Sequence, residues 1–366
     1  MRCDLIPKPE CRATAVGSLP HENPATALDS LLARFADIPF WPQLPKRSYL
    51  EGMIPQYSEG IPGAVVDAEA EKTWVKNDES LIEHMERFYE TYMAQHLEPF
   101  SISPEYAAGL HEFIRRMRES PKDRFAVKGH TTGPVTWGLT APGADGRACY
   151  YDVQFRDVLV KSLERKARWQ TAALKMLCPT VIIFIDEPYL QSIGASFVSL
   201  DEDTVARNLD EVIDGIHDAG AAAGIHCCGN TNWALLARTK TDVINFDAYD
   251  YAQSLSLYPR EVGGFLERGG ILAWGIVPSS NSVRGENADS LITLLREGFR
   301  FLTRKGVKET LLFESCLLTP SCGAGSLDAP LSEKMLSLTA EISKILRGGN
   351  TLPNSSGGNE RIEKDE

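Results

Sequence analysis

The chain has no apolar run of about 18 residues or more, so no helical membrane span is expected. Its opening residues, MRCDLIPKPECRA, lack the apolar stretch of a secretory signal, and the resulting expectation is residence in the cytoplasm. Nor is there a surplus of basic residues: 38 Lys and Arg face 50 Asp and Glu, a formal charge of -12. Nucleic acids and anionic membrane surfaces attract basic proteins, so neither is an expected partner. No internal repeat and no clustered four-cysteine pattern occurs. The eight cysteines (Cys3, Cys11, Cys149, Cys178, Cys227, Cys228, Cys316 and Cys322) are spread along a chain without a secretory signal and do not read as a disulfide framework. Reduced thiols are therefore available as metal ligands. What is present, 43% hydrophobic and 24% charged residues in a chain of 366, is the composition of a globular protein with a sizeable core.

Short apolar segments alternate with helical patterns. The expected strands are 13–17 (ATAVG), 37–41 (DIPFW), 124–129 (RFAVKG), 180–185 (TVIIFI), 221–225 (AAAGI), 242–246 (DVINF), 270–274 (GILAW) and 309–313 (ETLLF). Between them, 152–176, 200–217, 288–304 and 331–346 carry apolar residues at helical spacing or acidic first turns. Strands that are apolar throughout are those of parallel sheets, buried on both faces. The pattern predicts an α/β fold, a (β/α)8 TIM barrel formed by residues 1–347 as one domain. A doubly wound sheet shares the local pattern. The long interval between the second and third strands, with helical patterns at 80–96 and 103–118, predicts an enlarged crossover that covers one mouth of the barrel. Residues 348–366 are Gly, Ser, Asn and charge without an apolar pattern, and the expectation is a disordered tail.

In a parallel barrel the functional face is the carboxyl end of the strands. His226 and Cys228 follow the fifth expected strand, and residues two apart in extended chain share a face. Asp247 follows the sixth and Cys322 lies in a turn-rich loop after the eighth. One nitrogen, two thiolates and a carboxylate suit tetrahedral Zn2+, and ligands from separate loops fit a catalytic rather than a structural ion. Buried free cysteine is usually an inert small hydrophobe, which is the reading for Cys227, between the two ligands. Cys149, Cys178 and Cys316 read as core or surface residues.

The motifs Thr14-Ala15-Val16-Gly17-Ser18-Leu19-Pro20, Thr132-Gly133-Pro134-Val135-Thr136, Ile185-Asp186-Glu187-Pro188, His226-Cys227-Cys228, Asp242-Val243-Ile244-Asn245-Phe246-Asp247 and Pro320-Ser321-Cys322-Gly323 occur in that order. In this the chain resembles the catalytic half of the cobalamin-independent methionine synthase family, within the group that also holds uroporphyrinogen decarboxylase, from about Thr14 to Leu346. The resemblance implies a zinc-dependent methyltransferase acting on homocysteine, with zinc on His226, Cys228, Asp247 and Cys322. The family's acid at position 247 is usually Glu, and the shorter Asp reaches less far; Asp250 is a weaker alternative. The resemblance further places Gly17 and Ser18 on the substrate carboxylate and Asp186 on its ammonium. An acid near the second strand has no clean counterpart: Gln43 is nearest, and Glu51 could substitute. The folate-binding N-terminal barrel of the full-length enzymes falls outside the resemblance, and no His stands near Val277, where the family's proton donor belongs. Methylcobalamin needs no such proton to leave. The implied donor is a methylcorrinoid, carried by a partner protein or free, as in the short folate-independent enzymes, and Trp137 could line the donor side. Other thiols, such as coenzyme M, and metal-free decarboxylation are the alternative chemistries; coenzyme M lacks the amine that Asp186 would meet.

Overall fold

The computed structural model describes residues 5–76, 78–195 and 198–348. Of the tail expected at 348–366, only Gly348 is among them, as the last residue of the helix Ala329–Gly348. The strands are β1 (Arg12–Ala13), β2 (Ala64–Asp67), β3 (Lys72–Val75), β4 (Val127–Thr132), β5 (Val181–Asp186), β6 (Ala222–Cys227), β7 (Val243–Asp247), β8 (Ile271–Val277) and β9 (Cys316–Pro320). Among the described residues, seven of these form a curled parallel sheet, a half-barrel in the order β1-β9-β8-β7-β6-β5-β4. The hairpin β2–β3 stands apart inside the long crossover, and the sequence pattern did not announce it.

The expected second strand is not a regular one. Residues 37–43 make isolated parallel bridges instead, Phe40 with Lys128 on one side and Gln43 with Ser18 on the other. Backbone bonds run from Lys128 N–H to Pro39 O at 2.9 Å and from Gln43 N–H to Gly17 O at 3.1 Å. Pro39 and Pro42 have no N–H to donate, which keeps a full ladder from forming here. The expected eighth strand is also corrected. Residues 309–313 lie in the helix Glu309–Glu314, and the strand is the next apolar run, Cys316–Pro320. Only Leu312 of that helix is buried, as suits a one-faced element, whereas β9 is buried throughout. The first strand shortens to Arg12–Ala13, and the third runs on to Thr132.

Alternation along the strands separates two cores. Val127, Ile183, Ile225, Ile244, Trp274 and Leu318 pack outward among helices such as Val153–Lys175, Glu202–Asp218 and Ala288–Thr303. The other face carries a small cluster that includes Ala126, Ile182, Phe184, Ala222, Val243, Ala273 and Leu317. Continuing by twos toward the carboxyl ends, that inner face turns polar: Lys128 and His130, Asp186, His226, Asn245 and Asp247, then Thr319. A buried polar layer above an apolar floor is where a barrel of this kind places its chemistry.

Candidate metal and substrate site

β6 delivers His226 at its end, in register with Asp186 of β5 and Asn245 of β7. A ring nitrogen of His226 and the sulfurs of Cys228 and Cys322 all lie within 4.8 Å of one another. Nδ1 of His226 is 2.6 Å from Asn245 Oδ1. The Asn245 amide nitrogen donates to Ala273 O at 2.9 Å and to Thr319 Oγ1 at 2.8 Å, which turns its oxygen toward the imidazole. An amide oxygen only accepts, so Nδ1 carries the hydrogen and Nε2 keeps a lone pair. That Nε2 is buried and has no hydrogen-bond partner. A buried acceptor without a partner beside two half-buried thiols is what a metal would complete. Contact with the Cys322 thiol lowers the Cys228 thiol far below its ordinary range, while the same contact raises Cys322. Thiolate is the form of cysteine that ligates a metal.

The donor set fits zinc. Three protein ligands with a further position open is the arrangement of catalytic zinc sites. Asp247 stands outside the 4.8 Å set. Burial pushes its carboxyl up to about 6, and Oδ1 accepts the Asp250 N–H at 3.0 Å as the cap of the short helix Ala248–Tyr251. Because Asn245 acts through His226, Asn245→Ala is expected to weaken zinc binding roughly 10- to 100-fold while the fold persists. Competition with a chromogenic chelator, alongside circular dichroism, measures both.

Asp186 is 8% exposed, and its Oδ1 has no hydrogen-bond partner. Burial raises its carboxyl, with His226 and Lys128 opposing. Lys128 Nζ donates to Val16 O at 2.5 Å and lies 4.4 Å over the Phe184 ring. Gly17 and Ser18 follow β1, which pairs with β9. Ser18 is tied to the loop after Cys322: Oγ accepts the Gly325 N–H at 3.2 Å, and its carbonyl accepts the Ala324 N–H at 2.8 Å. These bonds tie the segment expected to meet the substrate to the loop that carries Cys322, while Asp186 lies in register with His226.

Gln43 pairs with Ser18 through the backbone, while its side chain donates to Gln56 Oε1 at 2.8 Å. Glu51 is fully buried and held by Arg47 at 2.5 Å within the crossover. Trp137 is core: it is fully buried, its ring stacks on Phe155, and Nε1 donates to Ser58 Oγ at 3.1 Å. Cys227 points away from the ligands as expected, with burial pushing its thiol up to about 12.

Glu187 is a latch that sequence reasoning left unassigned. Its carboxylate accepts the Val135 N–H at 2.9 Å, the Thr136 N–H at 2.8 Å and the Thr136 hydroxyl at 2.6 Å. A Cβ on Gly133 would lie 2.1 Å from it, so only glycine fits there. Burial pushes this carboxyl up to about 7 against the hydrogen bonds that lower it. Glu187→Gln turns an N–H2 toward donors, and a loss of about 2 kcal/mol in urea unfolding is expected.

No protein-family model matches the chain, and no curated protein matches it. Among solved structures, a B12-independent methionine synthase from Shewanella sp. W3-18-1, in complex with selenomethionine, is similar over 65% of this chain and 66% of that one, at 17% identity and a TM-score of 0.46. A putative vitamin-B12 independent methionine synthase from Listeria monocytogenes is similar over 65% and 69%, at 13% identity and a TM-score of 0.42. The assignment of chemistry to this chain rests on the side chains described above.

Proposed function

We propose that the chain is a zinc-dependent methyltransferase that makes methionine by moving a methyl group from a methylcorrinoid to homocysteine. The observation that carries the reading is the convergence of His226, Cys228 and Cys322 within 4.8 Å, with Nε2 of His226 buried and unpartnered. Those three side chains would hold the ion, and Asp247 would be its fourth ligand. Zinc bound there would supply the Lewis acidity that keeps a substrate thiol ionised at neutral pH. Asp186 meets the homocysteine ammonium, and Gly17 with Ser18 meets the carboxylate. In the transfer a sulfur–carbon bond forms, the cobalt–carbon bond breaks, and its electron pair stays on the departing cob(I)alamin.

The carboxyl end of β8 favours a corrinoid donor over a folate. Val277 is buried there, and no imidazole at that position could protonate a poor leaving group. The donor is assigned as a corrinoid carried by a partner protein, with free methylcobalamin as its test substitute. In the same reading residues 37–43 are the second strand of a closed (β/α)8 barrel, since they bridge Lys128 of the edge strand β4 on one side and Ser18, in the segment after β1, on the other.

Demethylation of methylcobalamin, followed by its visible spectrum, tests the assignment. The zinc-loaded protein is expected to turn over with homocysteine and not with coenzyme M. Turnover with coenzyme M alone overturns the acceptor, and methionine formed from methylfolate without corrinoid overturns the donor.

A further inference from the structure

Of the two basic side chains on the inner face of β4, Lys128 is accounted for by Val16 O and the Phe184 ring. His130 is not. It is 1% exposed, and both its ring nitrogens are buried without a hydrogen-bond partner. A neutral imidazole carries one donor and one acceptor, and native interiors rarely leave either unmet.

The ring is nonetheless held firmly. Trp41 stacks on it at 3.8 Å between centroids and 25° between planes. Gln170 Oε1 accepts both the Trp41 Nε1–H at 2.8 Å and the His130 backbone N–H at 3.1 Å. Gln170 Nε2 and the Tyr57 hydroxyl donate to His130 O at 2.9 and 2.7 Å. The imidazole also rests against Gly17, where a Cβ would lie 2.6 Å from Nδ1. Gly17 is followed by Ser18, which is bonded to the loop that carries Cys322. An oriented ring with unmet polar atoms, against the backbone that leads to the metal ligands, is a prepared contact for a ligand rather than a packing residue. Burial, and then the Lys128 charge, push its pKa well below the usual histidine range, so the ring is neutral and can donate.

We infer that His130 is a further substrate-binding residue, donating a ring N–H to the α-carboxylate of the amino-acid substrate beside Gly17 and Ser18. The inference rests on the homocysteine reading above. A carboxylate is the ligand group that matches a neutral donor next to the Gly17–Ser18 backbone, and a hydrogen bond to a charged group is the stronger kind.

Calorimetry on the zinc-loaded chain tests it with two ligands: homocysteine, and 3-aminopropane-1-thiol, which has the same thiol and amine but no carboxylate. His130→Ala is expected to weaken homocysteine binding roughly tenfold or more and to leave the aminothiol unchanged. His130→Gln, which keeps an N–H, is expected to recover part of the loss. In wild-type protein with labelled histidine, the His130 ring nitrogen resonances should move with homocysteine and stay in place with the aminothiol. Equal losses for both ligands, or unmoved resonances while homocysteine binds, overturn the role of His130 and leave the methyltransferase reading standing. Failure of the wild-type protein to bind homocysteine at all overturns both.

Discussion

Cys228→Ser is expected to abolish stoichiometric zinc binding and to lower methyl transfer to homocysteine by roughly a thousandfold or more. Serine is almost isosteric but does not ionise near neutral pH, so the variant removes the thiolate while sparing the packing. The effect is large because the three ligands act as a unit. His226 Nε2 would again lack a partner, and Cys322 would lose the thiol it contacts. Cys322→Ser should behave in the same way. Cys227→Ser should not, since that thiol faces the outer core and its loss costs stability rather than metal. Metal content by plasma emission, measured beside turnover in all three variants, checks the contrast. Zinc retained in full by both Cys228→Ser and Cys322→Ser removes the site.

Asp186→Asn is expected to weaken homocysteine binding roughly a hundredfold, because a buried carboxylate facing an ammonium is lost. The control ligand is 4-mercaptobutanoate, which keeps the thiol and the carboxylate but has no amine. Wild type and variant should bind it alike. A variant that loses both ligands equally would show that Asp186 supports the pocket rather than reads the amine. Together with the aminothiol used for His130, these ligands separate the two ends of the substrate.

The cluster of His226, Cys228 and Cys322 was legible because each followed an apolar run, and the run decides where a parallel strand ends. Even the misplaced eighth strand did not disturb this. Moving it from 309–313 to Cys316–Pro320 brings Cys322 closer to a strand end, not further from it. The error arose because ETLLF and CLLTP are both short apolar runs, and periodicity cannot say which is buried on two faces. Asp247 was equally legible as a strand-end acid, but the sequence could not show that one of its oxygens caps the helix that follows.

His130 was missed because the expected third strand stopped at Gly129, three residues short of its end. Lys128 and His130, two apart in a strand buried on both faces, were the available signal. Asn245 lay inside a quoted motif, yet its role depends on Ala273 and Thr319, which lie on other strands. Glu187 is similar, since its partners Val135 and Thr136 are 52 and 51 positions away. Contacts between strands and loops far apart in sequence are set by the register of the sheet, and one sequence without its pairing does not display them.

Zinc-edge X-ray absorption on the purified protein tests the central claim most directly. The account predicts zinc near one ion per chain, with two sulfur neighbours at about 2.3 Å and a nitrogen neighbour of imidazole type at about 2.0 Å. It further predicts a third sulfur when homocysteine is added. A spectrum without sulfur neighbours, or one unchanged by homocysteine, would contradict it.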